Sequence, residues 1–152
     1  MTDGGWDPGV ASHRALRGVR RALERHPAVD RVTGFAEGEH TRVVAELSPA
    51  RLDASVDATA PTLTVRWLAG ETAADPPSFS FHYSDDHGDL GWHHAPNPHV
   101  DGRGHYQERL DGEAYDYEPH SFDSTQPTRV VWAVVALVED RLDAWPDRRR
   151  TP

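Results

Sequence analysis

An α+β fold is what the sequence predicts: an antiparallel meander sheet of four to six strands, with an N-terminal and a C-terminal helix packed on one face. Three observations predict it. Apolar residues recur with helical spacing between Asp7 and His26, and then with a period of two in four short runs between Val29 and Ser84. A long apolar run, Val130 to Val138, continues into the amphipathic EDRLDAW, and that combined length selects helix over buried strand.

Taken in order, Asp7-Pro8 supplies an N-cap followed by proline at the first helical position. Leu16, Val19 and Leu23 then mark one face, with Ala15 and Ala22 beside them, and His26-Pro27 ends the helix. Arg14, Arg17, Arg21 and Arg25 form a stripe on the opposite side, readable as a phosphate-facing surface or as a solvated helix face. Strands are expected over Val29–Phe35, Thr41–Ser48, Thr62–Ala69 and Ser78–Ser84. Val43, Ala45 and Leu47, then Leu63, Val65 and Trp67, then Phe79, Phe81 and Tyr83 share the apolar face; Arg42, Arg66 and His82 fall on the wetter one. Pro49 to Ala60 reads as a polar loop, and Asp75-Pro76-Pro77 as a chain break. Leu90–His94 makes a short fifth strand and His105–Leu110 an extended edge segment, with two prolines barring Ala95–Pro98 from a central strand. Pro127, with Ser124 or Thr125 as cap, opens the last helix. One domain over residues 1–145 and a disordered tail over 146–152 are expected.

Composition narrows the classes. The chain has 152 residues and no cysteine, so disulfides and thiolate metal sites are excluded, and a cytoplasmic location is compatible with this. The first ten residues carry no basic-then-apolar signal, and the longest apolar run falls well below the roughly 20 residues that span a bilayer, so a soluble protein without a membrane partner is expected. Acidic residues outnumber basic ones by 25 to 16, and every basic residue is arginine. An acidic, lysine-free surface suits a halophilic cytoplasm; a GC-rich genome would give the same arginine bias. In molar salt the Debye length falls to about 3 Å, so net negative charge does not by itself exclude a nucleic-acid ligand, and local charge decides.

The chemistry concentrates in Phe79–Arg109, which holds six of the ten histidines: His82, His87, His93, His94, His99 and His105. Imidazole titrates near neutrality and is the commonest metal ligand. Three readings compete. In the first, His93, His94, His99 and His105 bind a metal with Asp85, Asp86, Asp89 or Asp101, although neither HExxH nor a cysteine pair is present. In the second, imidazoles perform metal-independent acid–base chemistry while Arg66, Arg103 or Arg109 stabilises a phosphorane; this suits RNA, whose 2′-hydroxyl is an internal nucleophile. In the third, the histidines are turn and edge residues hydrogen-bonded to the backbone. Tyr115, Tyr117, Trp92 and Tyr106 could stack bases or close the core, and Trp92, alternating with histidine on a short strand, reads as core. His87 reads as a turn residue.

The order helix, meander, histidine block, helix, together with Trp92, Ala95 and Pro96, resembles the TumE-type proteins, small proteins regarded as toxins of toxin–antitoxin pairs. Their pattern is approximately W-D-N-A-P-H-H followed by a second histidine block; here His93-His94 replace the acidic and amide residues, and Asn97-Pro98 stand where the histidine pair is usual. His99 and His105 take the parts of the displaced histidines. The resemblance implies an RNA-acting protein with an antitoxin protein as partner. The expected site has His93, His94 and His105 as acid–base residues and Arg66, His82, Asn97, Tyr106 and Arg109 as substrate contacts, with no metal and no cofactor. The alternative is a non-catalytic binding or interaction protein of a halophile, with structural or metal-binding histidines.

Overall fold

The computed structural model describes residues 5–34, 42–52, 59–95 and 102–149, with side chains as far as Ala144. Helix α1 spans Pro8–Glu24. Seven strands follow: β1 Val29–Gly34, β2 Arg42–Leu47, β3 Thr62–Leu68, β4 Ser78–Ser84, β5 Gly88–His94, β6 Gly104–Leu110 and β7 Asp116–Pro119. Helix α2, Pro127–Arg149, closes the order. All seven strands form one antiparallel sheet in chain order, a pure meander.

The α+β class and the helix–sheet layering are therefore as predicted, with one strand more than the four to six expected. The addition is β7, four residues long and ending on Pro119, paired only to β6. Proline at an edge removes no ladder hydrogen bond that a neighbour needs, which is why this acidic, tyrosine-containing stretch can pair at all. At the other end of the chain the helix continues through residues expected to be tail, as far as Arg149.

The start of α1 follows from local chemistry. Asp7 Oδ1 accepts hydrogen bonds from the backbone N–H groups of Gly9 (2.9 Å) and Val10 (3.2 Å), satisfying two of the first-turn donors. Ser12 Oγ–H donates to Pro8 O at 2.7 Å, and the same oxygen accepts from Ala69 N–H at 2.8 Å, tying the helix to the end of β3. Leu16, Val19 and Leu23 are fully buried. The four arginines of the stripe, Arg14, Arg17, Arg21 and Arg25, are all exposed.

The core lies between the helices and one face of the sheet. Val43, Ala45, Leu63, Val65, Trp67, Phe79, Phe81, Tyr83, Leu90, Trp92 and Tyr106 alternate inward along β2–β6. Val130, Val131, Val134, Val138 and Leu142 of α2 meet them from the helix layer. Trp67 stacks on Phe79 with centroids 4.4 Å apart. Among the described residues no helix is long and apolar enough to cross a membrane.

Among the described residues no helix covers the other face. Register places its residues in rows across the sheet. One row reads Arg42, Arg66, Ser80, His93, His105 and Pro119; the next reads Val44, Thr64, His82, Gly91, Gln107 and Tyr117; a third reads Glu46, Thr62, Ser84, Asp89 and Arg109. Leu16→Ala, which empties a fully buried position where α1 meets the sheet, should lower unfolding free energy by about 2–5 kcal/mol in chemical denaturation.

Candidate functional site

The open face of β4–β7 carries a connected polar cluster whose centre is Asp89, buried at 8% exposure. Its carboxylate takes three hydrogen bonds from three other segments. His82 Nε2–H on β4 donates to Oδ1 at 2.7 Å, Arg109 Nε–H on β6 donates to Oδ2 at 2.8 Å, and the Tyr115 hydroxyl, just before β7, donates to Oδ1 at 2.5 Å. The Arg109 guanidinium lies over the Tyr115 ring, 4.3 Å from its centroid. Burial of the carboxyl works against ionisation, but Tyr115, Arg109 and the charge and hydrogen bond of His82 outweigh it and hold Asp89 below the ordinary carboxylate value. Burial first, then the neighbouring carboxylate, pushes the Tyr115 phenol up to about 12, so it remains a donor at neutral pH.

His93 and His105 face each other across β5 and β6, stacked with centroids 4.9 Å apart and planes 10° from parallel. His82 stands edge-on to His93 at 5.8 Å. Burial, then the proximity of His105 and His82, lowers His93 from 6.5 to about 4, so its imidazole is neutral at pH 7. Its Nε2 is buried and finds no hydrogen-bond partner among the described residues. His105 is also lowered, chiefly by burial and against the opposing effect of Gln107. The Gln107 carbonyl oxygen accepts from His105 Nε2–H at 3.2 Å, which leaves the lone pair of the neutral ring on Nδ1.

Gly91 makes this arrangement possible. A Cβ there would stand 2.6 Å from His82 Nδ1 and 2.7 Å from Phe81 O. The missing side chain lets the His82 ring lie along the sheet toward Asp89. Any other residue at position 91 would push it away.

The predicted site residues are thus only partly brought together. His93 and His105 meet, His82 adjoins His93, and Arg109 shares the Asp89 carboxylate with His82. His94 does not: adjacent residues on a strand point to opposite faces, so it sits on the helix side, stacked on Phe79 at 4.9 Å and donating Nδ1–H to Pro77 O at 2.8 Å. Tyr106 fails as a substrate contact for the same reason; it is 1% exposed beside Trp92, with its hydroxyl on Glu108. Arg66 is exposed on the open face, in the row of His93 and two strands away. Asn97 and His99 lie outside the described residues.

Among the described residues the ligands of the metal reading are not brought together. Asp85 caps the turn before β5, accepting from His87 N–H at 2.7 Å, which makes His87 the turn residue expected. His94 is on the wrong face and Asp101 is outside the described residues. Among the described residues no three His, Asp or Glu side chains are placed to hold an ion. Sequence reasoning weighed Asp89 only as a metal ligand and passed over Gln107 and Gly91, because only the register shows that they lie beside His82 and Arg109.

Two measurements test this electrostatic description. Asp89 is depressed on folding, so its stabilisation is present above the ordinary value of 3.8 and is lost as pH falls through the lower folded value. Asp89→Asn should therefore cost on the order of 2–4 kcal/mol at pH 7, with the difference from wild type narrowing at pH 3. His93 is depressed as well, and its effect has the same sign over a higher pH window. Between 6.5 and about 4 the unfolded chain binds a proton that the folded chain refuses, so stability falls as pH drops across that window. His93→Gln should flatten this part of the stability profile, and proton NMR of the wild type should find one imidazole titrating near 4.

No protein-family model, no curated protein and no solved structure matches this chain, so its chemistry is read from the site itself.

Proposed function

We propose that this is a toxin–antitoxin-type protein that acts on RNA by metal-independent acid–base chemistry on the open face of the sheet. The observation that carries the reading is the adjacency of His82, His93 and His105 on the open face, with His82 held by the buried Asp89 carboxylate. The resemblance to TumE-type proteins supports it and adds an antitoxin protein as partner.

In this reading the labour is divided. His93, neutral near pH 7, takes the proton of a ribose 2′-hydroxyl. The 2′-oxygen attacks the adjacent phosphorus, and the bond from phosphorus to the 5′-oxygen breaks, leaving a 2′,3′-cyclic phosphate and a 5′-hydroxyl. His82 delivers the proton to that leaving oxygen. Its Nε2–H is held by Asp89, which orients the ring beside His93. Arg109 and Arg66 meet the charge that develops on the phosphorane. Arg109 is already anchored through Nε, so its terminal nitrogens remain to donate. His105 backs His93 as its stacked neighbour and is itself oriented by Gln107.

A second reading draws on the same carboxylate. Asp89, His82, Arg109 and Tyr115 bind four segments of the sheet together, which a non-catalytic binding protein would also use. Cleavage separates the two. Purified protein in high salt should cut RNA equally with and without chelator, give 2′,3′-cyclic phosphate ends, and arrest growth when expressed without a partner. His93→Gln and His82→Asn should each lower the rate by about 10²–10⁴-fold, the usual contribution of an acid or base. Absence of cleavage in both conditions, with no growth defect, would overturn the proposal in favour of the binding protein.

A further inference from the structure

Five ring side chains close a circuit on the open face. His82 neighbours His93 at 5.8 Å, His93 stacks on His105 at 4.9 Å, and His105 reaches Tyr117 at 6.1 Å. Tyr117 meets Tyr115 at 6.1 Å, and Tyr115 returns to His82 at 6.4 Å. The circuit surrounds Gly91 and Gln107, which sit side by side in the row between His82 and Tyr117. Beyond it, Arg66 is exposed, makes no ion pair among the described residues, and stands directly opposite Arg42. Their row, from Arg42 to Pro119, contains no carboxylate, in a chain of net charge −9. Two strand spacings put Arg66 about 10 Å from the His93 position.

We infer that the open face takes an unpaired nucleic-acid strand laid across the β-strands, with a phosphate at Arg66 and a base against Tyr117 at the edge of the ring circuit. This rests on the RNA-acting reading and specifies its substrate class. Aromatic faces beside a cationic row are what a single strand needs, because its bases can leave the stack and its backbone follows the charge. In a duplex the base faces are occupied by their neighbours, so the rings have nothing to grip. Tyr117 reaches its place only because β7 pairs with β6, which explains why so short a strand is present at the edge.

The test uses the full chain and a fluorescein-labelled oligodeoxynucleotide of about 12 nucleotides, a typical length for one stacking platform, which lacks the 2′-hydroxyl and cannot be cut. Fluorescence anisotropy should show the single strand binding at least about tenfold more tightly than its duplex. Tyr117→Phe should keep that affinity, and Tyr117→Leu, still folded at the assay temperature, should lower it by about tenfold. Arg66→Ala should reduce the salt dependence by about one phosphate contact. Equal affinity for single strand and duplex overturns the inference, as does Tyr117→Leu binding like wild type. Strand binding without any RNA cleavage upholds this inference and overturns the proposed activity. Cleavage that ignores pairing does the reverse, and binding of neither probe overturns it.

Discussion

The Asp89 carboxylate is the point on which the C-terminal half of the sheet depends. It is one buried charge held by an imidazole, a guanidinium and a phenol from three different segments. A charge so placed is costly unless every lone pair is answered, and removal of one partner leaves the rest in a poor environment. The bond to Tyr115 therefore does more than add one contact. It fastens the turn leading to β7, and β7 in turn sets Tyr117 beside His105. The same carboxylate orients His82 through Nε2, and Gly91 leaves the space in which that ring lies. Stability of the sheet edge and geometry of the candidate site are two consequences of one interaction.

Much of this was legible in the residues, because burial enforces period on strands and helices alike. The alternation Phe79, Phe81, Tyr83 located β4 at Ser78–Ser84 without error, since a one-residue slip would have turned three aromatic rings to solvent. Trp92 held more information than was drawn from it. Once Trp92 is core, His93 must face out and His94 must face in, and Tyr106, its partner across β6, must be core as well. Two of the expected site residues could have been excluded on that ground. Asp89 could not have been found this way. In the run from Asp85 to Asp89 nothing distinguishes a turn carboxylate from a strand carboxylate, and only cross-strand register sets it beside Arg109 and diagonal to His82. β7 was hidden for a different reason: four residues with proline at the end carry too little periodic signal, and the strand is held by tertiary contacts of Tyr115 with Asp89 and of Tyr117 with His105.

The acidic surface and the buried cluster respond differently to salt. Surface ion pairs such as Arg31–Glu46, with both partners more than half exposed, lose most of their attraction in concentrated salt. The Asp89 contacts are shielded by the sheet and short enough to act inside a Debye length of about 3 Å. A halophilic cytoplasm would thus weaken the long-range repulsion between an acidic chain and a polyanion while leaving the local geometry of His82, Asp89 and Arg109 in force. In such a setting recognition has to come from contacts at hydrogen-bond and stacking distance, which is the kind of contact this face offers.

The distribution of conflict over the molecule supports placing function on that face. The helix side is consistent at every level: apolar residues alternate inward, Asp7 caps α1, and the aromatic rings of Trp67 and Phe79 stack. The open side is not. Arg42 stands opposite Arg66, although like charges in a cross-strand pair are destabilising. Three imidazoles adjoin one another where burial and mutual proximity make protonation of His93 unfavourable. A glycine occupies the middle of a strand, where it is the weakest choice for the sheet. The core does not call for the arginine pair or the imidazoles, and the glycine is required only by the close approach of His82 and the Phe81 carbonyl. Local rules broken together on one surface, while the helix side of the described sheet obeys them, are the physical mark of a site kept for what it binds or transforms.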